Sequence, residues 1–341
     1  MQGWQITKAG VLQNVNKTEL LADVDKVKLR ITRALITSED VVTYLGEDKK
    51  VKLPVIPCMA AIGQINELPI ESPYLEKGTR VYVSAVKNCG KCPHCVTGDQ
   101  SDCYEFCVAG KNSDGFLKDF AVVDQSDVFP LPASIRDEDA VYIELIKLAL
   151  AVIDKLDVEK GQHVAIIGGT LLGTIIAQLI IYYQGVPILI DSSDEKLELA
   201  KRSGVYYTIN SESSPEKEVS SLTGGRMVSK VVHVARSGMP FDLAVKLAAP
   251  TAKVAFAGFS FPNVRLSLQT VFEKRAICFG VTNGFGNSES AINMLANKAV
   301  DLSNYAVRTA KFNEAENIFA DMAQEYKQNK TVNPVIVNTL G

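Results

Sequence analysis

Three features are missing from this 341-residue chain, and each absence excludes a class of protein. The formal net charge is only −3 and no basic block interrupts the sequence, so a nucleic-acid-binding surface is not expected. No apolar run reaches the ~20 residues that a bilayer crossing needs. Residues 1–5 have neither the basic cap nor the apolar core of a signal peptide. We therefore expect a cytoplasmic protein with no nucleic-acid or membrane partner.

The first part of the chain has the pattern of a β-domain. Residues 26–32 alternate strictly between apolar and polar side chains, and the strand-like residues 80–83 follow a turn signal at Lys77 and Gly78. Residues 120–123 form a further strand-like run, and residues 137–155 have helical spacing of apolar positions. The chain is long enough for two domains, and this pattern predicts that the first is a mostly antiparallel β-domain.

The pattern becomes regular from residue 164. Apolar strands at 164–167 and 188–190 flank a helical segment, and further strands at 230–235, 253–258 and 276–281 are separated by helices at 216–222 and 241–247. Repeated strand–helix spacing predicts an α/β fold with a doubly wound parallel sheet. Ligands bind at the carboxyl ends of such strands, which indicates the loops 235–237, 258–259 and 281–283.

The end of the chain contains two amphipathic helices, at about 288–299 and 313–326, and a strand-like run at 334–337. This last run has no evident partner within the parallel sheet. We therefore expect it to return to the first domain, which makes that domain discontinuous. The predicted domains are residues 1–147 together with 285–341, and residues 148–284.

A glycine turn between the strand at 164–167 and the next helix predicts a dinucleotide site. Gly168 permits the tight turn, Gly173 lets helix and sheet approach, and the amides at the helix start face a pyrophosphate. Asp191, at the end of the next strand, would accept hydrogen bonds from the adenosine ribose and repel a 2′-phosphate, which favours NAD over NADP. Thr170 occupies the middle glycine position of the fingerprint. The alternative is a crossover that binds nothing. The predicted cofactor-binding residues are Gly168, Thr170, Leu171, Leu172, Gly173, Asp191 and Ser192.

Four of the seven cysteines are crowded into a short stretch, at Cys89, Cys92, Cys95 and Cys103. In a cytosolic chain such crowding indicates a metal rather than a disulfide. Four thiolates close a tetrahedral zinc shell without an open position, so we predict one structural zinc. The alternative is a reduced cysteine cluster without metal. His94, inside the loop, is expected to be exposed.

With these residues in view, the whole chain resembles the medium-chain dehydrogenase/reductase superfamily, close to the zinc-containing alcohol, sorbitol and threonine dehydrogenases. The four-cysteine lobe at about 86–108, Asp114-Gly115, Lys160-Gly161 and the turn at 168–173 with Asp191 carry the resemblance. It implies a GroES-like catalytic domain, a Rossmann domain, NAD(H), a small-molecule substrate and a homodimer or homotetramer. Lys196 matches a family lysine that helps to hold the adenosine ribose.

The residues at the family's catalytic zinc site differ. Thr37 stands at the ligand cysteine and Glu39 at the proton-relay hydroxyl, while Cys58-Met59-Ala60 replaces the Gly-His-Glu motif. Only Glu144, which matches a glutamate near the metal of sorbitol-type enzymes, keeps its type. A catalytic zinc needs about three protein ligands, so the resemblance predicts a protein without one. A rearranged site built from Cys58, Asp40 and Glu144 is the alternative.

Three functions remain open from these residues. The first is an NAD(H) oxidoreductase acting on an activated alkene, iminium or carbonyl. The second is a zinc-independent alcohol or polyol dehydrogenase using carboxylate acid–base catalysis, and the third is an inert NAD-binding or regulatory protein. The predicted catalytic residues are Thr37, Glu39, Asp40 and Glu144, because crowded carboxyl groups raise one another's pKa and keep one protonated. Alternatively, Glu39 faces solvent, Asp40 braces a loop, and Glu144 pairs with Lys147 at helical spacing.

Overall fold

The structure is a computed structural model that describes residues 1–18, 24–69, 74–235, 239–259, 264–305, 308–328 and 332–340. The chain forms two units. A β-rich unit contains Met1–Glu144, Ser288–Ala296 and Ala306–Gly341, and a parallel-sheet unit contains Leu145–Asn287 and Asn297–Tyr305.

The units differ from the predicted domains at three segments, residues 145–147, 285–287 and 297–305. Residues 297–305 belong to the parallel-sheet unit rather than to the β-rich unit. The Gln178 side chain donates to the Asp301 carbonyl of this segment at 3.0 Å and accepts from the Asp301 amide at 2.6 Å. Such a contact between distant segments has no signature in the local sequence.

The elements follow in chain order. The first part contains β1 (Gln2–Lys8), β2 (Val11–Asn16), β3 (Lys26–Ile36), α1 (Ser38–Tyr44), β4 (Ala60–Glu67), β5 (Arg80–Val83), β6 (Val86–Lys87), α2 (Pro93–Thr97), β7 (Cys107–Val108), β8 (Phe120–Asp124), β9 (Val128–Pro130) and α3 (Asp137–Ala140). The middle part contains α4 (Ile143–Leu156), β10 (His163–Ile167), α5 (Leu171–Tyr182), β11 (Val186–Asp191), α6 (Asp194–Arg202), β12 (Tyr207–Asn210), α7 (Pro215–Leu222), β13 (Val228–His233), α8 (Asp242–Leu247), β14 (Ala248–Ala257), α9 (Leu268–Lys274) and β15 (Ile277–Val281). The last part contains α10 (Ser288–Ala296), β16 (Arg308–Lys311), α11 (Ala315–Lys327) and β17 (Val335–Asn338).

The main sheet of the β-rich unit has seven strands. Its order is β16-β17-β3-β4-β5-β9, and β8 pairs with β3. All of these pairs are antiparallel except β16 with β17. The predicted return of the C-terminal strand is confirmed, because β17 pairs with β3 in the register Val335↔Ile36. Helix α11 packs Phe319 and Met322 into the core of this unit, which secures the end of the chain.

The parallel-sheet unit confirms the predicted doubly wound fold. Six parallel strands lie in the order β12-β11-β10-β13-β14-β15. The strand order reverses between β10 and β13, so the loops after Ile167 and His233 meet at the carboxyl edge where such sheets bind ligands. Strand β12 was not predicted, because this short edge strand is mostly half-buried and lacks a continuous apolar run.

Two further expectations concern loops and helices. The predicted ligand loop at 235–237 includes Arg236 and Ser237, which lie outside the described residues. The single helix predicted at 137–155 is divided into α3 and α4, with a break at Val141 and Tyr142. None of the helices in the described part combines the length and the apolar character that a bilayer crossing requires.

Candidate functional site

The glycine turn of the parallel-sheet unit lies between β10 and α5. Gly168 has a φ of +116°, and a side chain there would place its Cβ 2.8 Å from the Ala235 amide nitrogen. A Cβ on Gly173 would lie 2.0 Å from the Gly168 carbonyl oxygen. Glycine is therefore required at both positions for the start of the helix to lie against the sheet.

Asp191 holds this turn from the end of β11. Its carboxylate is buried, and Oδ2 accepts the Gly169 amide at 2.7 Å while Oδ1 accepts the Ser193 amide at 2.9 Å. The Lys196 Nζ lies 3.8 Å from Oδ2. Ser192 is exposed beside this carboxylate. A carboxylate oxygen accepts more than one hydrogen bond, so Asp191 can hold the turn and also receive ribose hydroxyls.

Thr170 is the N-cap residue of α5. Its backbone is extended, with φ −72° and ψ 167°, and its hydroxyl accepts the Gly173 amide at 3.1 Å. Leu171 and Leu172 form the first turn of the helix, where backbone amides have no partner within the helix. The predicted residues of the turn therefore come together at the positive end of a 12-residue helix.

The four cysteines of the β-rich unit form one cluster. The sulfur atoms of Cys89, Cys92, Cys95 and Cys103 all lie within 4.8 Å of one another. The Sγ of Cys89 lies 3.9 Å from that of Cys95 and 3.6 Å from that of Cys103. Zn–S bonds of about 2.3 Å in a tetrahedron place sulfurs about 3.8 Å apart. The donor set therefore fits a zinc ion without an open position.

The fold of this lobe explains how the cysteines converge. Strands β6 and β7 pair at its base, and Cys92 is the N-cap of the short helix α2, which carries Cys95. Hydrogen bonds from the backbone amides of Lys91 and Cys92 lower the pKa of the Cys89 thiol to about 7. This favours the thiolate that binds zinc. His94 is half-buried, with 43% of its side chain exposed.

Thr37 and Asp40 form the start of α1. The Asp40 Oδ2 accepts the Thr37 amide at 2.8 Å and the Thr37 hydroxyl at 3.0 Å, while Oδ1 accepts the Cys58 amide at 2.8 Å. Burial raises the pKa of Asp40 above its usual range, although these hydrogen bonds oppose the shift. Burial, with a contribution from Asp40, also raises the pKa of the Cys58 thiol well above its usual range. These contacts give Asp40 a structural role that joins α1 to the Cys58 loop.

Glu39 makes a buried ion pair that the sequence analysis did not anticipate. The Lys111 Nζ lies 3.1 Å from Glu39 Oε2 and 3.0 Å from Asp48 Oδ2, with all three side chains about one-tenth exposed. Lys111 follows β7 and so comes from a segment far from α1 in sequence. Glu39 would have to break this ion pair in order to act as a proton donor.

Replacing Lys111 with methionine is expected to lower the free energy of unfolding by about 3 kcal/mol, because two buried carboxyl groups lose this cation. Urea unfolding measures the change. Lys91→Met is the matched control, since Lys91 forms an exposed ion pair with Glu105 at 3.5 Å that is worth less than about 1 kcal/mol. Equal losses in the two variants would contradict the importance of the buried pair.

Glu144 lies at the start of α4 and is fully buried. Its Oε2 accepts a hydrogen bond from the Tyr82 hydroxyl and another, at 3.1 Å, from the Ala85 amide. Burial first, and then the Glu144 charge, raise the pKa of Tyr82 well above its usual range. Tyr82 therefore remains a phenol that donates to Glu144 at neutral pH.

The predicted catalytic residues make separate polar contacts. Thr37 and Asp40 contact each other, Glu39 pairs with Lys111, and Glu144 bonds to Tyr82. In the described part of the chain, the four cysteines are the only group of three or more histidine, cysteine or acidic side chains that is close enough to hold a metal. Asp40, Cys58 and Glu144 therefore do not form the alternative metal site.

His233 ends β13 beside the glycine turn and is fully buried. Its ring stacks on Phe241, with 4.4 Å between centroids and 15° between planes. Burial lowers the pKa of His233 to about 4, despite an opposing contribution from the backbone of Pro240. The imidazole is therefore neutral in the folded protein at neutral pH.

This histidine predicts a pH dependence of stability. The folded protein binds the proton more weakly than the unfolded chain, whose histidine titrates near 6.5, so stability falls as the pH drops from about 6.5 towards about 4. His233→Phe should remove up to about 3 kcal/mol of that loss. Urea unfolding from pH 8 to 4.5 checks this, and above pH 7 the variant should differ from the unaltered protein by a constant amount. An unchanged slope below pH 6.5 would contradict the prediction.

Local patterns did not identify Lys111 or Tyr82, and they indicated Lys147 only as a partner of Glu144 at helical spacing. Lys111 and Tyr82 meet their partners only through long-range packing. Lys147, on α4, is fully buried, and Gly284 packs so closely that a Cβ there would lie 2.3 Å from the Lys147 carbonyl carbon. One sequence signal was available for Lys147, because a lysine within the apolar face of a helix indicates a buried charge.

Two family profiles match the chain. The profile described as "Alcohol dehydrogenase GroES-like domain" covers residues 23–133, and that described as "Zinc-binding dehydrogenase" covers residues 172–298. Together they include most of the β-rich unit before α3 and most of the parallel-sheet unit.

Individual proteins are similar over most of their length. An "uncharacterized zinc-type alcohol dehydrogenase-like protein" of Haemophilus influenzae is 24% identical over 91% of each chain. Galactitol 1-phosphate 5-dehydrogenase of Escherichia coli K12 is 26% identical over 76% of this chain and 78% of its own. The crystal structure of rspB of Escherichia coli CFT073, called a short chain alcohol dehydrogenase and complexed with NADH, superposes with a TM-score of 0.87 at 24% identity over 99% of each chain.

Proposed function

The chain belongs to the medium-chain dehydrogenase/reductase superfamily, and from this premise we propose that it is an NAD(H)-dependent oxidoreductase of small molecules that works without a catalytic zinc. One observation carries the proposal. The buried Asp191 carboxylate holds the glycine turn at the point where the order of the parallel strands reverses. That arrangement recognises the adenosine ribose and pyrophosphate of a dinucleotide.

The residues present fit NAD(H). The turn offers amides at the positive end of α5, and the negative charge of Asp191 disfavours a 2′-phosphate. Lys196, 3.8 Å from Asp191, contributes a further donor near the ribose position. When bound, the nicotinamide accepts or supplies the hydride, and the protein binds and orients it.

The residues at the family's catalytic zinc position support a reaction without that metal. Thr37 is bonded to Asp40, and both Met59 and Ala60 are buried, uncharged side chains. A catalytic zinc requires about three N, O or S ligands and an open position. Without such a Lewis acid, hydride transfer favours a substrate that is already electrophilic, such as a conjugated alkene, an iminium or an activated carbonyl.

Among the predicted acids, we propose Glu144 as the group that holds or moves the proton. Glu39 forms an ion pair with Lys111, and Asp40 accepts hydrogen bonds from the amides of Thr37 and Cys58. Glu144 is instead positioned by Tyr82 and the Ala85 amide. A positioned acid or base contributes about 10²- to 10⁴-fold to a rate. If Glu144 acts on an alcohol or polyol, the second function applies, namely a zinc-independent dehydrogenase.

The experiment that tests this function is a substrate screen. Oxidation of NADH is followed with conjugated enones, imines, simple ketones and sugar phosphates, and reduction of NAD with polyols. We expect turnover of the activated substrates, insensitivity to chelators, and a loss of about 100-fold in kcat for Glu144→Gln. Glu138→Gln, a half-buried acid on α3, is the control.

Two results would exclude this proposal. Turnover confined to polyols and abolished by chelators would require a catalytic metal. NADH binding without turnover of any substrate would support the inert alternative.

We also propose that the protein is a homodimer or homotetramer. Strand β15 is an edge of the parallel sheet, and Ile277 on it is 57% exposed. Helix α9, which precedes β15 in the chain and contacts β14, exposes Leu268 to 76% and Phe272 to 83%. An open edge strand beside exposed apolar side chains favours self-association, and sedimentation velocity measures the assembly.

A further inference from the structure

Thr170 stands where the dinucleotide fingerprint has its middle glycine, and the structure shows what its side chain does. The hydroxyl oxygen accepts the Gly173 amide at 3.1 Å. This bond holds the side chain against the first turn of α5. The threonine therefore caps the helix, which is a role that glycine performs less well.

The cap leaves part of the hydroxyl unused. A threonine hydroxyl has one hydrogen to donate and two lone pairs to accept, and the Gly173 amide occupies one lone pair. Within the described part of the chain, the Thr170 hydrogen has no acceptor, nor do the amides of Leu171 and Leu172. Three donors are thus present at the start of one 12-residue helix, whose dipole attracts an anion.

The position of the turn identifies the anion. Gly169 binds Asp191, the predicted ribose acceptor, and Thr170 is the next residue. In a dinucleotide the diphosphate is attached to the adenosine ribose. Because Gly169 contacts the predicted ribose acceptor Asp191, the next residue, Thr170, lies at the phosphate end of the turn.

We propose that the Thr170 hydroxyl is a phosphate-binding group, which donates to a pyrophosphate oxygen of NAD(H) while it continues to accept the Gly173 amide. This inference rests on the proposed function, because it concerns the same cofactor. A glycine at this position lets the backbone approach the pyrophosphate closely. Thr170 offers a side-chain hydrogen bond to the pyrophosphate instead. The substitution is an altered means of phosphate recognition rather than a defect.

The test compares Thr170→Val, which keeps the shape and removes the hydroxyl, with Thr170→Ser, which keeps the hydroxyl. Calorimetry measures the Kd of NADH, and displacement of NADH measures the Kd of adenosine, which lacks phosphate. For Thr170→Val we expect about a tenfold weaker affinity for NADH, as one hydrogen bond to an anion is lost. The affinity for adenosine should change less than about twofold, and Thr170→Ser should bind NADH within about threefold of the unaltered protein.

The outcomes separate a phosphate-binding role from a structural one. If Thr170 only caps the helix, Thr170→Val lowers the melting temperature without ligand but weakens NADH and adenosine equally, or neither, and the inference is overturned. Tighter NADH binding by Thr170→Val or Thr170→Gly would also overturn it. NADH binding that is weakened by Asp191→Ala but not by Thr170→Val removes this inference and leaves the proposed function intact. No NADH binding by the unaltered protein removes both.

Discussion

Asp191→Ala is expected to remove most of the stabilisation that NADH confers on the protein. At a concentration about 100 times its Kd, a ligand adds about 2.7 kcal/mol to the free energy of unfolding. Two ribose hydrogen bonds to a carboxylate, each worth about 1.5 kcal/mol, correspond to about a 100-fold loss of affinity. At the same NADH concentration the stabilisation then falls to about 0.4 kcal/mol. Unfolding in urea with and without NADH measures both values.

The informative quantity is the difference between the free energies of unfolding with and without NADH, because Asp191 also accepts hydrogen bonds from the amides of Gly169 and Ser193. Its replacement therefore lowers the stability of the protein without ligand. Glu195→Ala is the matched control, since Glu195 is an exposed acid in the first turn of α6 and should leave the NADH effect unchanged. Full NADH stabilisation of Asp191→Ala would contradict the assigned cofactor site.

Cys92→Ser is expected to abolish zinc binding. Elemental analysis of the unaltered protein should find about one zinc per chain, and the variant should retain almost none, because three thiolates and a hydroxyl are a much poorer donor set. Structural zinc contributes folding free energy directly, about 10 kcal/mol or more in small zinc domains. We therefore expect the lobe at 86–108 to become susceptible to limited proteolysis and the melting temperature to fall.

Cys107→Ser is the matched control for this metal site. Cys107 is an exposed thiol on β7, outside the cluster of four sulfurs, and its loss should change neither the zinc content nor the proteolysis of the lobe. Retention of zinc by Cys92→Ser would contradict the four-cysteine site. Two zinc ions per unaltered chain would contradict a different proposal, namely the reaction without catalytic zinc.

Much of the fold was predictable because its signals are local. The apolar runs around Val164 and Ile188 are long enough to define buried parallel strands, and the C-terminal run at 334–337 lacked a partner in the parallel sheet. The edge strand at Tyr207 was missed because half-burial leaves no continuous apolar run. The segment around Asp301 contacts Gln178 across more than a hundred residues, and no local pattern encodes such a contact.

The candidate sites were predictable to different degrees. Four cysteines at short spacing can converge with little help from the rest of the chain, and they do. The carboxyl groups were expected to crowd together, but Glu39 is engaged by Lys111, which follows the zinc lobe. The environment of a carboxyl group depends on which distant segments pack against it, and no pattern around Glu39 encodes that.

The sequence by itself determined the class of fold, the position of the glycine turn and the four-cysteine cluster. These properties depend on residue types at short spacings, which act through local geometry. Only the tertiary structure decided that Asp40 joins α1 to the Cys58 loop, that Tyr82 positions Glu144, and that Thr170 caps α5 with a hydrogen left to donate. Hydrogen bonds and ion pairs extend only about 3 to 4 Å, so the role of a polar side chain is set by the neighbours that folding brings within that distance.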